Sequence, residues 1–161
     1  MNNVEISVSV SASEIKQGED MPILNLSSRR LTRDELDKGG VEPYEEDQRL
    51  IRSICRFHYP PSVSKIIEIC VELGSIAKKY EINNITIDVN PFFLSYAQEV
   101  FKCLGFTIYF PSMERINDRE VFVTYYKSPI FEIERVVNIE QLLNEYLSLK
   151  RAVEKVSKRN T

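Results

Sequence analysis

The residues best suited to chemistry lie in two short stretches, around His58 and around Asn90. His58 is the chain's single histidine, and an imidazole titrates near neutral pH, so His58 could serve as a general base. Arg56 could orient an acidic acceptor or a donor. Each residue also has a plain interpretation: a loop histidine without a catalytic role, and an arginine paired with a nearby carboxylate.

Asn90 and Asp88 stand at the end of a predicted strand. Asn90 could bind an acceptor through its side chain, but an asparagine followed by Pro91 is also typical of a helix start. Asp88 could act as a base only if it faces the cleft, and by strand alternation it points opposite to Ile87 and Val89.

The three cysteines predict buried free thiols. Cys55, Cys70 and Cys103 lie far apart in apolar periodic segments, without the Cys-x-x-Cys spacing of a zinc site, and their odd number disfavours a disulfide framework. A single histidine also excludes a multi-histidine metal site. We therefore expect no metal.

Predicted elements between residues 50 and 110 position these side chains. They are a strand at 50–59, a helix at 62–80 after Pro60-Pro61, a strand at 84–89, a helix at 91–103 and, after Leu104-Gly105, a strand at 106–110. The first helix has so broad an apolar face that we expect it to be buried against a sheet.

This order of elements, with Arg56-Phe57 and Leu104-Gly105-Phe106, resembles the N-acyltransferase fold of the acetyltransferase superfamily. Over about residues 49 to 126 it looks most like the N-acyl amino acid synthases and the acyl-homoserine-lactone synthases. The resemblance implies an α/β (α+β) fold in one domain, with a mixed sheet flanked by helices and an added C-terminal helix.

The resemblance also implies a site. An acyl-CoA or acyl-carrier-protein thioester would lie between two splayed strands, Ile51 to Phe57 and Ile85 to Val89, with its phosphate at a helix N-terminus. Main-chain N–H groups would polarise the thioester carbonyl while an amine attacks. Arg56 and His58 would be catalytic, and Asn90 would bind the acceptor. The donor-binding residues would be Cys55, Phe57, Ser62, Val63, Ser64 and Lys65.

Three positions depart from the family pattern. The stretch 58–61 contains no glycine and two prolines, which makes close backbone approach to a pyrophosphate harder. Ser53 replaces a common glutamate, and Phe101 replaces the tyrosine that often protonates the departing thiolate. The alternative is therefore a catalytically inactive domain that serves as a protein-binding or regulatory module.

We expect a single domain over 1–161, with a less ordered part at 1–48, the core at 49–126 and a terminal helix at 138–158. Strands are predicted at 4–10, 22–26, 121–126 and 130–137, a short helix between Thr32 and Gly39, an exposed loop from there to Asp47, a break at Pro111-Ser112 and a turn at 117–119.

The last predicted helix has apolar residues at spacings of 3 and 4, as in the a and d positions of a coiled coil. They are Ile139, Leu142, Tyr146, Leu149, Val153 and Val156. Two interpretations stay open: packing of this seam on the protein's own sheet, and a homodimer through Ile139 to Val156. Leu143 and Leu147 widen the seam, as packing on a sheet would.

Composition bounds the class of protein. The chain has 161 residues, a net charge of −3 and 43% hydrophobic residues, as in an ordinary globular domain. Residues 1–50 carry eleven acidic and six basic side chains, so we expect no nucleic-acid partner. The absence of a long apolar run and of a signal-peptide pattern predicts a cytoplasmic protein without a membrane span.

Overall fold

A computed structural model describes residues 21–57, 60–128 and 138–160. Its helices and strands, in chain order, are β1 (Ile23–Asn25), α1 (Arg33–Asp37), β2 (Gly40–Val41), α2 (Glu45–Ile54), α3 (Val63–Lys79), β3 (Asn84–Thr86), α4 (Pro91–Cys103), β4 (Thr107–Ile116), β5 (Arg119–Lys127) and α5 (Ile139–Arg159). The predicted strands at 4–10 and 130–137, and His58, lie outside the described residues.

The strands form one mixed five-stranded sheet in the order β2-β1-β3-β4-β5. The first four strands are mutually parallel, and β5 pairs antiparallel with β4. From β1 the chain adds β2 on one side and later β3 on the other, so the strand order reverses at β1. The predicted mixed sheet flanked by helices is confirmed.

The two faces of the sheet are covered differently. Leu24, Ile85 and Ile108 are cross-strand neighbours on one face and belong to the main core with the buried sides of α3 and α4. On the other face Ile23 packs against Phe122 and Tyr125 of β5. The long β4–β5 hairpin therefore curls over the face opposite the helices.

Several predicted features are confirmed. Thr32 and Glu35 form the capping box of α1, and Asn90 caps α4. Helix α3 begins after Ser62, close to the predicted start, and the Ser62 side chain caps it. Asn138 caps α5 by accepting a hydrogen bond from the Gln141 N–H. Each cap supplies an acceptor to N–H groups that have no partner within their helix.

The hairpin turn is also confirmed, whereas the break predicted at Pro111-Ser112 is wrong. Asn117 and Asp118 have φ values of 50° and 61°, as a two-residue turn between twisted strands requires. Pro111 lies inside β4, opposite Tyr125, and the ladder shifts register just after Ser112. The irregularity that the proline predicts is thus a local bulge within a continuous strand.

The strand predicted at 50–59 is wrong, because residues 50–54 form the second half of helix α2. Three acidic residues occupy the first turn of α2, where they favour the helix dipole, and Arg49 pairs with Glu45 one turn earlier at 2.8 Å. Ile51 is buried in the core. The helix start lies in the stretch assigned to an exposed loop up to Asp47, so the strand prediction began in mid-helix.

Other boundaries also change. Strand β3 ends at Thr86, so Ile87, Asp88 and Val89 form a loop. The stretch 21–48, which the sequence suggests is less ordered, contains β1, α1, β2 and the start of α2. Cys70 is buried and Cys55 is half-buried, but Cys103 is exposed, contrary to the prediction of three buried thiols, because it lies on the outer side of the last turn of α4.

Two glycines with positive φ provide a test of this backbone. Gly105 has φ +88° and open space where a Cβ would lie, whereas at Gly39, with φ +101°, a Cβ would lie 2.6 Å from the Met21 carbonyl oxygen. Gly105→Ala should cost only the left-handed strain, about 1 kcal/mol in the free energy of unfolding. Gly39→Ala should cost at least about twice as much, because a backbone clash adds to the strain. Urea unfolding measures both, and equal costs would contradict the close approach at Gly39.

Candidate functional site

The carboxyl ends of β1, β2 and β3 meet at one edge of the sheet. In open α/β sheets ligands bind in the crevice beyond these ends, where the strand order reverses, and here that point lies between β1 and β3. The loop after β1 carries Ser27 and Ser28, β2 is followed by Glu42, and β3 is followed by Asp88. Helix α2 lies over this edge.

Asn25, the last residue of β1, organises the crevice. Its buried side-chain amide donates to the Arg29 carbonyl at 2.7 Å and to the Glu42 carboxylate at 3.2 and 3.3 Å. Its amide oxygen accepts from the N–H and the hydroxyl of Ser27, at 2.9 and 2.5 Å. Glu42 also accepts from the Leu31 N–H. The loop after β1 is therefore tied to the end of β2.

Asp88 ties the same loop to β3. Its carboxylate accepts from the Ser28 N–H at 3.1 and 3.2 Å and from the Ser28 hydroxyl at 3.0 Å. Cys55 lies beside Asp88. Burial, together with the charge of Asp88, raises the pKa of the Cys55 thiol to about 12. The thiol stays protonated at neutral pH, so it is a poor nucleophile.

An ion pair between Arg29 and the buried Glu35 holds the loop after β1 in place. The Arg29 guanidinium donates to the Glu35 carboxylate at 2.9 and 2.6 Å, and Glu35 is only 1% exposed against 44% for Arg29. Burial by itself raises the pKa of Glu35, but the hydrogen bonds from Arg29 and from the Thr32 N–H outweigh it. The net pKa of Glu35 is lowered, so its carboxylate is charged at neutral pH.

Helix α2 closes the crevice from above. Gln48 donates to the Pro43 carbonyl at 2.7 Å, and Ile51 and Arg52 complete the lining. The cavity is about 10 Å³, room for about one water molecule. Arg30 and Arg52 form no salt bridge within the described ranges, although, after the hydrogen bond from Arg49, the charges of both help to lower the pKa of Glu45. Two guanidinium groups at this crevice are therefore uncommitted, in the sense that neither has a direct ionic partner there.

Two buried hydroxyls near this network have no hydrogen-bond partner among the described residues. Thr86 is the cross-strand neighbour of Asn25, so the two side chains share one face of the sheet. The Tyr125 hydroxyl reaches the same region from β5, and burial and then the charge of Glu35 raise the pKa of Tyr125. A Cβ on Gly40 would lie 2.9 Å from this hydroxyl, so a side chain there would meet it. Such unpartnered groups call for an explanation, such as a water or a ligand.

The residues predicted from the acyltransferase pattern are not brought together on a strand. Cys55 is the C-cap of α2, Arg56 follows it and is exposed, and Phe57 packs on Phe93 with ring centroids 6.4 Å apart. Of these, only Cys55 lies beside a residue of the crevice, Asp88.

The predicted phosphate and acceptor groups are engaged within their own helices. The Ser62 hydroxyl accepts from the Lys65 N–H at 3.2 Å, and the Lys65 ammonium lies 3.3 Å from Glu68. The Asn90 side chain accepts from the N–H groups of Phe92 and Phe93 at 3.0 and 3.4 Å. Val63 and Ser64 form the first turn of α3, next to residues that the structure does not describe.

The sequence pattern does not predict the crevice residues. Asn25 ends a three-residue strand, Glu42 follows a two-residue strand, and Arg52 lies in a helix where the sequence predicts a strand. One signal was present: a polar asparagine inside the apolar run Pro22 to Leu26, followed by two serines. A buried amide in such a run marks the polar end of a parallel strand once the neighbouring strands are known.

Helix α5 lies in two environments. Ile139 and Leu143 are buried, and Leu142, Tyr146 and Leu147 pack partly against the main core. Burial raises the pKa of the Tyr146 hydroxyl. Farther along, Leu149 and Val153 are both 68% exposed and Val156 is 59% exposed. The predicted seam is therefore covered by the protein's own core only in its first half.

In comparisons with known proteins, no family model matches the sequence, no curated protein matches it, and no solved structure matches its fold. Across 21–57, 60–128 and 138–160, no helix is both long and apolar enough to cross a membrane. The geometry of the crevice and of α5 therefore carries the functional argument.

The Arg29–Glu35 pair predicts a pH-dependent stability. Glu35→Gln should lower the free energy of unfolding at pH 7 by about 2 kcal/mol, because it leaves a half-buried guanidinium without its counter-charge. Since folding lowers the pKa of Glu35, its contribution is fully present above the unfolded-state pKa, about 4.3, and is lost as the pH falls through the folded-state pKa. The difference between wild type and variant, measured by urea unfolding, should shrink in that acid range.

Glu45→Gln is the matched control, because Glu45 is exposed and its pKa is also lowered by a hydrogen bond from an arginine, Arg49. It should change stability far less at every pH. A Glu35→Gln effect that does not change between pH 7 and pH 3 would contradict the charged pair.

The two environments of α5 predict opposite outcomes for the same substitution. Leu142→Asp should lower the free energy of unfolding by about 2 kcal/mol or more, because it places a carboxylate against the core. Leu149→Asp should change it by less than about 0.5 kcal/mol, since Leu149 faces solvent. Urea midpoints measure both, and equal losses would show that the second half of the seam is covered.

Proposed function

We propose that this domain is a binding module for a small ligand with an anionic group, phosphate or carboxylate, held in the crevice at the carboxyl ends of β1, β2 and β3. The observation that carries the proposal is the pair Arg30 and Arg52, both uncommitted, beside the buried polar end of β1. A guanidinium binds phosphate and carboxylate through paired N–H groups and stays charged at any physiological pH.

The charges around the crevice support an anion. Its lining includes three arginines and one glutamate, and Glu35 neutralises only Arg29. Glu42 already accepts from Asn25 and Leu31, so its oxygens are engaged by the protein. An anion between Arg30 and Arg52 would meet two cations that form no salt bridge among the described residues and have the charge of Glu45 nearby.

The crevice holds about one water, so the ligand would bind at its rim, where Arg30 is exposed and Arg52 is half-buried. Helix α2 is anchored at its first turn, where Asp47 accepts from Lys79 at 2.7 Å and from the Tyr80 hydroxyl. Its second half is held by Ile51, which is buried in the core. Binding at the rim therefore requires only the two arginine side chains to move.

A binding module needs no nucleophile, which agrees with the neutral Cys55 thiol. N-acyl transfer from an acyl-CoA or acyl-carrier-protein thioester to an amine stays a prediction. That function depended on a strand at 51–57, and residues 51–54 lie in helix α2 instead. Acyl transfer is therefore the second candidate function. Because acyl-CoA carries phosphates, the same titration examines both functions.

The test is calorimetric titration of the wild-type chain with inorganic phosphate, pyrophosphate, citrate, acetyl-CoA and a long-chain acyl-CoA. We expect at least one of these anions to bind. Arg52→Gln should weaken that binding about tenfold, which corresponds to about 1.4 kcal/mol. Arg33→Gln is the matched control, because Arg33 is an exposed arginine on α1 outside the crevice lining.

Absence of binding with every anion would remove the proposal. Equal weakening by Arg52→Gln and Arg33→Gln would show a diffuse charge effect rather than a site. Acyl-CoA binding, with turnover in the presence of an amine, would instead favour the acyltransferase.

A further inference from the structure

The second half of α5 is an exposed helix with an apolar strip and a strong positive charge. Every residue from 151 to 160 is exposed. Leu149, Val153 and Val156 follow one another at spacings of 4 and 3 along one side. Residues 149–160 carry five basic side chains and one acidic one, although the whole chain has a net charge of −3. We call these residues the basic strip.

We propose that the basic strip docks an acidic amphipathic helix of a partner protein. The spacing of Leu149, Val153 and Val156 is that of a helix-to-helix seam, in which side chains of one helix fit between those of another. Lys150 is three residues from Val153 and Arg159 three residues from Val156, so both lie beside this seam and would face glutamates or aspartates of the incoming helix. A basic amphipathic helix is a recurrent target of acidic helix-binding proteins.

A second copy of this chain fits the basic strip less well. Two copies would bring together two segments that each carry the same large positive charge. Three exposed apolar side chains per copy also cover much less than the roughly 1,000 Å² that a specific interface needs. An acidic partner turns the repulsion into attraction and can contribute further contacts of its own.

Other classes of partner fit less well too. Helices that lie on membranes carry tryptophan, phenylalanine or leucine on a broad apolar face, whereas the basic strip has two valines and one leucine in a narrow row. The phosphates of a nucleic acid would contact the basic side chains but would leave the exposed aliphatic row without a partner. The combination of row and charge is specific to a protein helix.

The experiment measures fluorescence anisotropy of a labelled helical peptide of about three heptads, with leucines at the seam positions and glutamates beside them. A matched peptide replaces the glutamates with lysines. The full chain should bind the glutamate peptide, more weakly as salt is raised, and should not bind the lysine peptide.

Two double variants test the two components of the strip. Val153→Ser with Val156→Ser, and Lys150→Glu with Arg159→Glu, should each weaken binding at least tenfold. Lys150 is half-buried and the other three side chains are exposed, so the variants should fold, which circular dichroism confirms. The matched controls are Val123→Ser and Lys102→Glu, which change an exposed valine and an exposed lysine elsewhere and should leave the affinity unchanged.

Three outcomes would overturn the proposal. The first is an affinity for the glutamate peptide that the valine variant does not change. The second is tighter binding to a 20-base-pair duplex or to anionic phospholipid vesicles than to the peptide. The third is a wild-type dimer in sedimentation that the valine variant converts to a folded monomer, because the strip would then be occupied by a second copy.

Discussion

The buried amide of Asn25 is the contact on which the polar edge of this fold depends. Strands β1, β2 and β3 are only two or three residues long, so their ladders supply few hydrogen bonds. Asn25 compensates by binding its own loop and, through Glu42, the end of β2. Asp88 continues the connection to β3 through Ser28. Side-chain hydrogen bonds therefore connect the ends of β1, β2 and β3. In longer strands, backbone hydrogen bonds of the ladder would align these ends.

The same network explains why the crevice can be both well ordered and closed. Its carboxylates are satisfied by N–H and O–H donors of the loop, and the Arg29–Glu35 pair fixes the loop from below. Two of the charged groups that line the crevice are positive and form no salt bridge among the described residues. They are Arg30, from the loop after β1, and Arg52, from α2. The anchor of α2 is distant from Arg52, at Asp47, where Lys79 and Tyr80 hold it to the end of α3. The loop after β1 and helix α2, which both line the crevice, are therefore held in place by separate contacts.

Helix α5 shows how one sequence period can serve two purposes. The spacing from Ile139 to Val156 is uniform, yet the core covers only the first part. Helix α5 has 21 residues, against 17 for α3 and 13 for α4, and it contacts both of these helices. Burial of Ile139 and Leu143 attaches the helix, and the remainder extends past the core with its aliphatic row in solvent.

The sequence by itself determined the local features of this protein. The caps at Thr32, Ser62, Asn90 and Asn138, the turn at Asn117-Asp118 and the apolar faces of α3 and α4 all follow from interactions within a few residues.

Only the tertiary structure decided the rest, for physical reasons. Residues 50–54 are compatible with a strand or a helix, and the acidic first turn of α2, its anchor at Asp47 and the burial of Ile51 select the helix. The candidate site joins Asn25, Glu42, Arg52 and Asp88, whose proximity depends on strand order. No periodicity along the chain encodes that order, because it is set by how the helices cover the sheet.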